Sequence, residues 1–397
     1  MAGNRQNVSA LQALTSAALG LPGLAGTVQA GVPATEVSVD YQYTRYDEGA
    51  IDKDKRLGSS GQRYQINIHQ LKFIVPLGER MDFSLDYSIE NMSGASPWYI
   101  LPGGDGKPLQ VLSGATIREE RNDFVAALGW YSDWGTVTTR LGYSTEKDYQ
   151  SLNGSVSADF DFNKQLTTLS VGVGYSDDEI EPTDSDIFAT RVVHAIKTSR
   201  TVFAGLSQVL GKNDVIQSGV SYTHLSGFLS DPYKLVFVDG TLAADSRPDQ
   251  RDQFAWTTQY RHFFTGLNAA LHADYRFYQD DWSVTSNTVT LAWYQNIGES
   301  WKVVPSVRYY SQDDADFYAP YFTDTPVNGL FSGDYRLSAY GALSFGLEIT
   351  EEFDTWALSL SGKYYMSDGS LAITRSGPEN PGLVNFWYAT IGIRKTF

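Results

Sequence analysis

The chain has 397 residues, 42 % hydrophobic and 14 % aromatic, with 25 Tyr, 9 Trp, no Cys and a formal net charge of −16. Without cysteine there are no disulfides, thiol nucleophiles, thiolate metal sites or covalently attached haem, and the acidic balance argues against nucleic acid as a partner while leaving cations or a basic partner open. A mean hydropathy of −0.28, with no run of about 18 apolar residues after the first 30, excludes a helical membrane bundle but suits a transmembrane barrel, in which only alternate residues must be apolar.

Residues 1–30 read as a signal peptide. Arg5 is their only charge, Ala10 to Ala25 is mostly Ala, Leu and Gly, and Val28-Gln29-Ala30 offers a small-x-small cleavage pattern. Cleavage after Ala30 would leave 31–397 as the mature barrel and, with Arg5 gone, a net charge of −16 − 1 = −17.

From there on the period is 2, and helical periodicity is hard to find. Sixteen strands are predicted. The first six are 36–46, 62–75, 80–91, 118–131, 136–146 and 151–162. The next five are 166–176, 198–210, 214–228, 252–264 and 267–278, and the last five are 283–296, 300–311, 334–349, 355–367 and 385–397. Their connections alternate between short turns, such as Pro76–Glu79 and Ser132–Gly135, and longer segments, such as Met92–Ile117, Leu229–Arg251 and Gln312–Gly333. That asymmetry and an even strand number predict an all-β, antiparallel outer-membrane barrel with short periplasmic turns and longer extracellular loops.

Alternation also assigns faces. Val37, Val39, Tyr41 and Tyr43 should face lipid on the first strand, Leu267 to Phe277 at odd positions on the eleventh, and Leu337, Ala339, Leu343, Phe345 and Leu347 on the fourteenth. The second strand changes phase between Ile68 and Leu71, which suggests a bulge. The final segment, Phe386–Phe397, has Trp387, Ala389, Ile391, Ile393 and Phe397 on one face. It is expected to close the barrel against the first strand and to present Phe397 to the barrel assembly machinery.

Several segments are similar to a bacterial family of outer-membrane proteins known only as a domain of unknown function, the DUF3570 type. They are PLGER at 76–80, SGASPW at 93–98, SGATIRE at 113–119, STEKDYQS at 144–151, GYSDD at 174–178, SDPYKL at 230–235, DADFY at 314–318 and YRLSAYGALSFGLE at 335–348. The resemblance implies an outer-membrane barrel and carries over no catalytic residue.

Candidate chemistry lies on the inward faces. Asp82, Asp86, Arg140, Asp159, Asp274, Arg276, Arg308, Arg336 and Arg394 are candidate lumen-lining charges, joined by Asp161 and Glu348. Opposed charge rows would select and orient solutes; alternatively these groups pair and hold a plugged barrel together. In Met92–Ile117 the apolar start and the Gly103-Gly104-Asp105-Gly106 turn make Trp98, Tyr99 and Asp105 candidates for a constriction. The alternative is a loop packed outside.

The acidic loop tips, among them Asp177 to Asp186, carry hard oxygen donors but no ordered calcium-loop pattern, so no metal site and no cofactor are assigned. His272 and Asp274 share a face and could form part of a hydrolytic dyad, the least favoured reading. The expected function is a non-enzymatic channel or transporter for small hydrophilic or ionic solutes. The alternative is a plugged scaffold that binds an envelope protein. Lipid and lipopolysaccharide are the expected surroundings.

Overall fold

The computed structural model describes residues 33–113, 117–374 and 377–397; the expected signal peptide lies outside them. Strands follow in the order β1 Ser38–Glu48, β2 Gln65–Pro76, β3 Met81–Gly94, β4 Pro97–Pro102, β5 Pro108–Leu112, β6 Ile117–Ser132 and β7 Gly135–Thr145. Next come β8 Tyr149–Phe162, β9 Thr167–Ile180, β10 Ala195–Val209, β11 Asp214–Gly227, β12 Leu235–Val238, β13 Thr241–Ala244 and β14 Gln250–Phe264. The last are β15 Ala269–Asp280, β16 Thr285–Ile297, β17 Trp301–Gln312, β18 Tyr340–Glu352, β19 Trp356–Asp368 and β20 Phe386–Thr396. Sixteen of these close into one antiparallel barrel, and β4–β5 and β12–β13 are separate two-stranded hairpins within the long loops.

Closure follows from the alternation. Each wall strand carries an apolar outer set and a polar inner set, and a closed sheet leaves no backbone edge unpaired. The last strand meets the first as expected, in register from Ser38↔Thr396 to Glu48↔Phe386, and the Phe397 amide donates to Val37 O at 2.9 Å. Leu141, Leu152, Val202, Leu206, Phe345, Leu347, Leu360 and Ile391 stand exposed on the outer face, where a charge at membrane mid-depth would cost about 2–4 kcal/mol. One end carries the short turns and the other the long loops.

Two expectations need correction. β2 has no bulge: its register runs unbroken against β1 from Ser38↔Ile74 to Asp47↔Gln65 and against β3 from Gln65↔Ser93 to Pro76↔Asp82. The apparent phase slip is instead a change of environment along a regular strand. Near the long-loop end the inner face of β2 is apolar, because Ile66 and Ile68 pack with loop residues inside the barrel. There the outer face turns polar, with Tyr43 donating to Asn67 Oδ1 and Tyr41 hydrogen-bonded to His69 Nδ1.

The fourteenth wall strand starts at Tyr340, not at 334. Tyr335–Leu337 is a single 3-10 turn capped by Asp334, whose side chain accepts from the Arg336 amide. Leu337 therefore does not face outward; it is buried in a cluster with Trp282, Val284, Ala315 and Phe317. At the other end, Leu267 sits in a turn rather than on the strand, and Ala269 is fully covered.

Candidate functional site

The long loops do not stand off the barrel; they fold into its mouth and seal it. Tyr46, Ile66 and Phe386, from the inner face of the wall, form one buried cluster with Tyr335 and Val384 from the loops. Ala255 and Tyr278 of the wall join the second cluster, around Trp282 and Phe317. Gln312, at the top of β17, anchors the seal by donating from Nε2 to Arg336 O at 2.9 Å and Ser338 O at 2.7 Å. Gly94, at the end of β3, has φ +137°, and a Cβ there would lie 2.3 Å from Arg63 O. Only glycine lets the descending loop approach so closely.

The loops are locked together by charge. Arg336 reaches Asp231 at 2.6 Å and also pairs with Asp334; Arg247 bridges Asp334 at 2.8 Å and Asp245 at 2.7 Å. Lys234 donates to Pro97 O at 3.0 Å, tying in the β4–β5 hairpin. Three carboxylates thus face three cations, and the ensemble is neutral. Burial alone would push the Asp334 carboxyl up, but Arg336, Lys234 and Arg247 outweigh it and hold the group well below the usual carboxylate range. Asp231 is lowered in the same way, by Arg336 and Lys234 against its burial. A second lock joins wall to loop: Arg63 Nε donates to Glu48 Oε2 at 2.7 Å and its Nη1 to Gly382 O at 2.8 Å. Asn380 holds Tyr318 and Gly333.

The covered part of the inner wall spans most of the circumference, β10 and β19 being only half-buried there. Towards the long-loop end, inner-face residues are buried strand after strand: Tyr46, Ile66, Glu90, Arg121, Ser144, Ser151, Asp178, Ser221, Ala255, Tyr278, Ser286, Tyr310, Tyr340 and Phe386. Towards the short-turn end the inner wall is mixed: small residues such as Thr136, Ser207, Thr350 and Ala357 are buried, while several charged side chains stay accessible. Glu348 is exposed, and the Arg394, Lys72, Asp274 and Arg261 side chains keep 36 %, 34 %, 32 % and 28 % of their surface. The result is a polar-walled chamber with the loops packed into one end.

The predicted lumen charges mostly take their places in this chamber, but they pair along the wall rather than forming opposed rows. Lys72 meets Asp86 at 3.1 Å, with Asp40 in register beside Lys72 and Arg394 beside Asp40. Asp274 is ion-paired to Arg261. Asp82 accepts from Tyr131 at 2.8 Å, Asp159 from Ser170 at 2.5 Å and Asp161 from Thr168 at 2.7 Å. Arg140, Arg276 and Arg308 are on the inner face.

Arg336 is the exception: it belongs to the loop lock and not to a wall strand. Trp98 and Tyr99 also lie in the seal, on β4, with Trp98 edge-on to Phe188. Asp105 does not narrow the lumen; it is 61 % exposed at the β4–β5 turn. His272 lies against the Tyr294 ring, 4.1 Å between centroids, while its supposed partner Asp274 is held by Arg261.

Sequence reasoning missed Asp231, Lys234, Asp245, Arg247 and Asp334. The available signal was weak: charges of both signs within loops otherwise rich in Gly, Pro and aromatics. Two donor groups also form at the rim, Glu179–Glu181–His194 and Glu119–Glu146–Asp148. In the second, burial pushes the Glu146 carboxyl up to about 7; Arg121 opposes this, and Asp148, Glu119 and Glu90 reinforce it. A raised carboxyl stabilises the fold below its unfolded value and loses that contribution as pH rises through about 7, here on the order of 2 kcal/mol. Wild-type protein should therefore lose amide protection at residues 145–149 between about pH 4.5 and 7, after correction for intrinsic exchange, and Glu146→Gln should lose less. Equal loss in both would remove Glu146 as the cause.

Comparison with known proteins adds the following. The profile of a family described as "Protein of unknown function (DUF3570)" matches residues 11–389. Among solved structures, CdiB from Acinetobacter baumannii aligns at 8 % identity and TM-score 0.50, over 92 % of this chain and 60 % of that one. A bacterial polysaccharide outer membrane secretin aligns at 9 % identity and TM-score 0.49, over 91 % and 98 %. The siderophore receptor PirA from Pseudomonas aeruginosa aligns at 11 % and 0.42, over 84 % of this chain and 56 % of its own length. These likenesses concern the barrel fold. A comparison with curated proteins returns no match.

Proposed function

The chain belongs to this family of proteins of unknown function, and from that premise we propose that it is an outer-membrane barrel, sealed from outside by its own loops, whose chamber binds from the periplasmic side. The observation that carries this reading is the packing of loop residues against buried inner-wall residues of most wall strands. An open pore needs a continuous wet path, and the seal replaces it with two apolar clusters and a neutral six-charge lock. Buried charges already compensated by one another gain nothing from admitting a solute. The protein is then non-enzymatic, a receptacle for a small solute or a periplasmic envelope protein, with the exposed apolar belt in lipid.

A second reading is favoured by the charged, accessible wall that runs up to the base of the seal: a channel whose loops move aside on a signal. Both predict the same resting behaviour. Folded protein inserted into planar bilayers should be silent, without the steady conductance of an open barrel of this strand number. Steady, voltage-independent conductance on every insertion would defeat the sealed-barrel reading.

A further inference from the structure

Below the seal, on the inner face of β15–β20, lies a cationic patch that the wall does not neutralise. Arg308 is in register with Thr290 on β16 and Ser344 on β18, and Ser344 with Tyr365 on β19. Tyr310 stands two residues along β17 from Arg308 on the same face, and Tyr365 faces Ser344 across the β18–β19 pair. Among the described residues no carboxylate forms an ion pair with Arg308 or with Lys363. The acids nearest Arg308 in register are committed or remote. Asp274, two strands away, is held by Arg261; Glu348 lies four residues along β18 from Ser344, about 13 Å, and is the diagonal neighbour of Lys363, two residues from its register partner Gly346, without an ion pair between them.

Lys363 stands two residues from Tyr365 on the same face, its Nζ 5.7 Å from the Tyr388 ring centre. Beside the patch, Thr288 on β16 is in register with Arg276 on one side and Tyr310 on the other. Thr288 is 6 % exposed, and its Oγ1 has no hydrogen-bond partner. Elsewhere in the chamber acid and base are neighbours; here cations stand among phenols, and a buried hydroxyl lacks a partner.

We propose that this patch, at the ceiling of the chamber, binds a small solute bearing a phosphate or carboxylate group. Arg308 supplies the charged fork, Lys363 a second charge, and the Tyr365 and Tyr388 hydroxyls supply donors to the oxyanion. The closed wall excludes lipid headgroups, so the solute enters through the short-turn end. The inference rests on the reading of the chamber as open at that end.

The test is calorimetric titration of the intact barrel, its fold verified by heat-modifiable gel migration, with phenyl phosphate, inorganic phosphate and, as the cationic control, phenyltrimethylammonium. Saturable, salt-sensitive binding of the phosphates and none of the cation is expected. Arg308→Gln should weaken it about tenfold and Lys363→Gln severalfold, with Arg308→Lys falling between wild type and Arg308→Gln. No saturable phosphate binding by folded wild type, or equal affinity in folded Arg308→Gln and Lys363→Gln, overturns the proposal. Steady conductance together with Arg308-dependent anion binding would fell the sealed-barrel reading and leave this site standing; silent bilayers without anion binding would do the reverse.

Discussion

Arg336→Ala should turn a silent barrel into a flickering conductor while leaving the wall folded. The wild-type lock sets Asp231, Asp245 and Asp334 against Lys234, Arg247 and Arg336, with Asp334 fully buried and Arg336 at 2.6 Å from Asp231. Removing one guanidinium leaves a buried excess of one negative charge, and breaking such a pair by removing one partner costs about 3–5 kcal/mol. Arg336 is 23 % exposed, which places the expected loss at the lower end.

The cost falls on the loops and not on the sheet. β17 and β18 remain joined through the ladder from Trp301↔Glu351 to Gln312↔Tyr340. Heat-modifiable migration should therefore be unchanged, while residues 313–339 become protease-sensitive and bilayers show irregular openings. Arg336→Lys should fall between the two, since an ammonium cannot reproduce the planar fork that serves two carboxylates. A variant as silent and protease-resistant as wild type would show that the buried lock does not hold the seal.

The wall was legible in the sequence and the seal was not, for one physical reason. A strand's two faces are written at spacing 2, so Val39, Tyr41 and Tyr43 or Leu343, Phe345 and Leu347 announce their side locally, and the closing pair β1–β20 follows from parity. The lock joins groups far apart in the chain: Asp231 and Arg336 are 105 residues apart, and Arg63 and Gly382 are 319 apart. No local pattern marks such partners. The seal did leave traces, which read as irregularities. Ile66 and Ile68 resembled a bulge because the top of the lumen is apolar. Tyr335 and Leu337 resembled an outward strand face because a 3-10 turn buries them. The inner charges were found by alternation, yet alternation could not show that Lys72–Asp86 and Arg261–Asp274 pair along the wall, or that Arg308 pairs with no acid among the described residues.

Strong acid should open the seal, and the pH at which it opens identifies the groups responsible. Asp334 and Asp231 are held below the usual carboxylate range, which burial opposes and the Arg336 and Lys234 charges bring about. A depressed carboxyl contributes stability above its unfolded value, near 3.8, and that contribution disappears as pH falls through the lower, folded value. Asp245 works in the opposite sense: burial raises it against the pull of Arg247, so it protonates earlier and gives back part of the loss. Two lowered groups against one raised group leave a net loss confined to pH below about 4. Once the acids are neutral, Lys234, Arg247 and Arg336 remain as three buried like charges, which repel. Conductance and protease cleavage within 313–339 should stay at wild-type resting levels from pH 7 to about 4 and rise steeply towards pH 2.5, reversibly if the wall holds. Opening on alkalinisation through pH 7 would instead implicate Glu146 at the rim, and a seal unmoved at pH 2.5 would mean that apolar packing around Phe317, Tyr335 and Trp282 suffices without the lock.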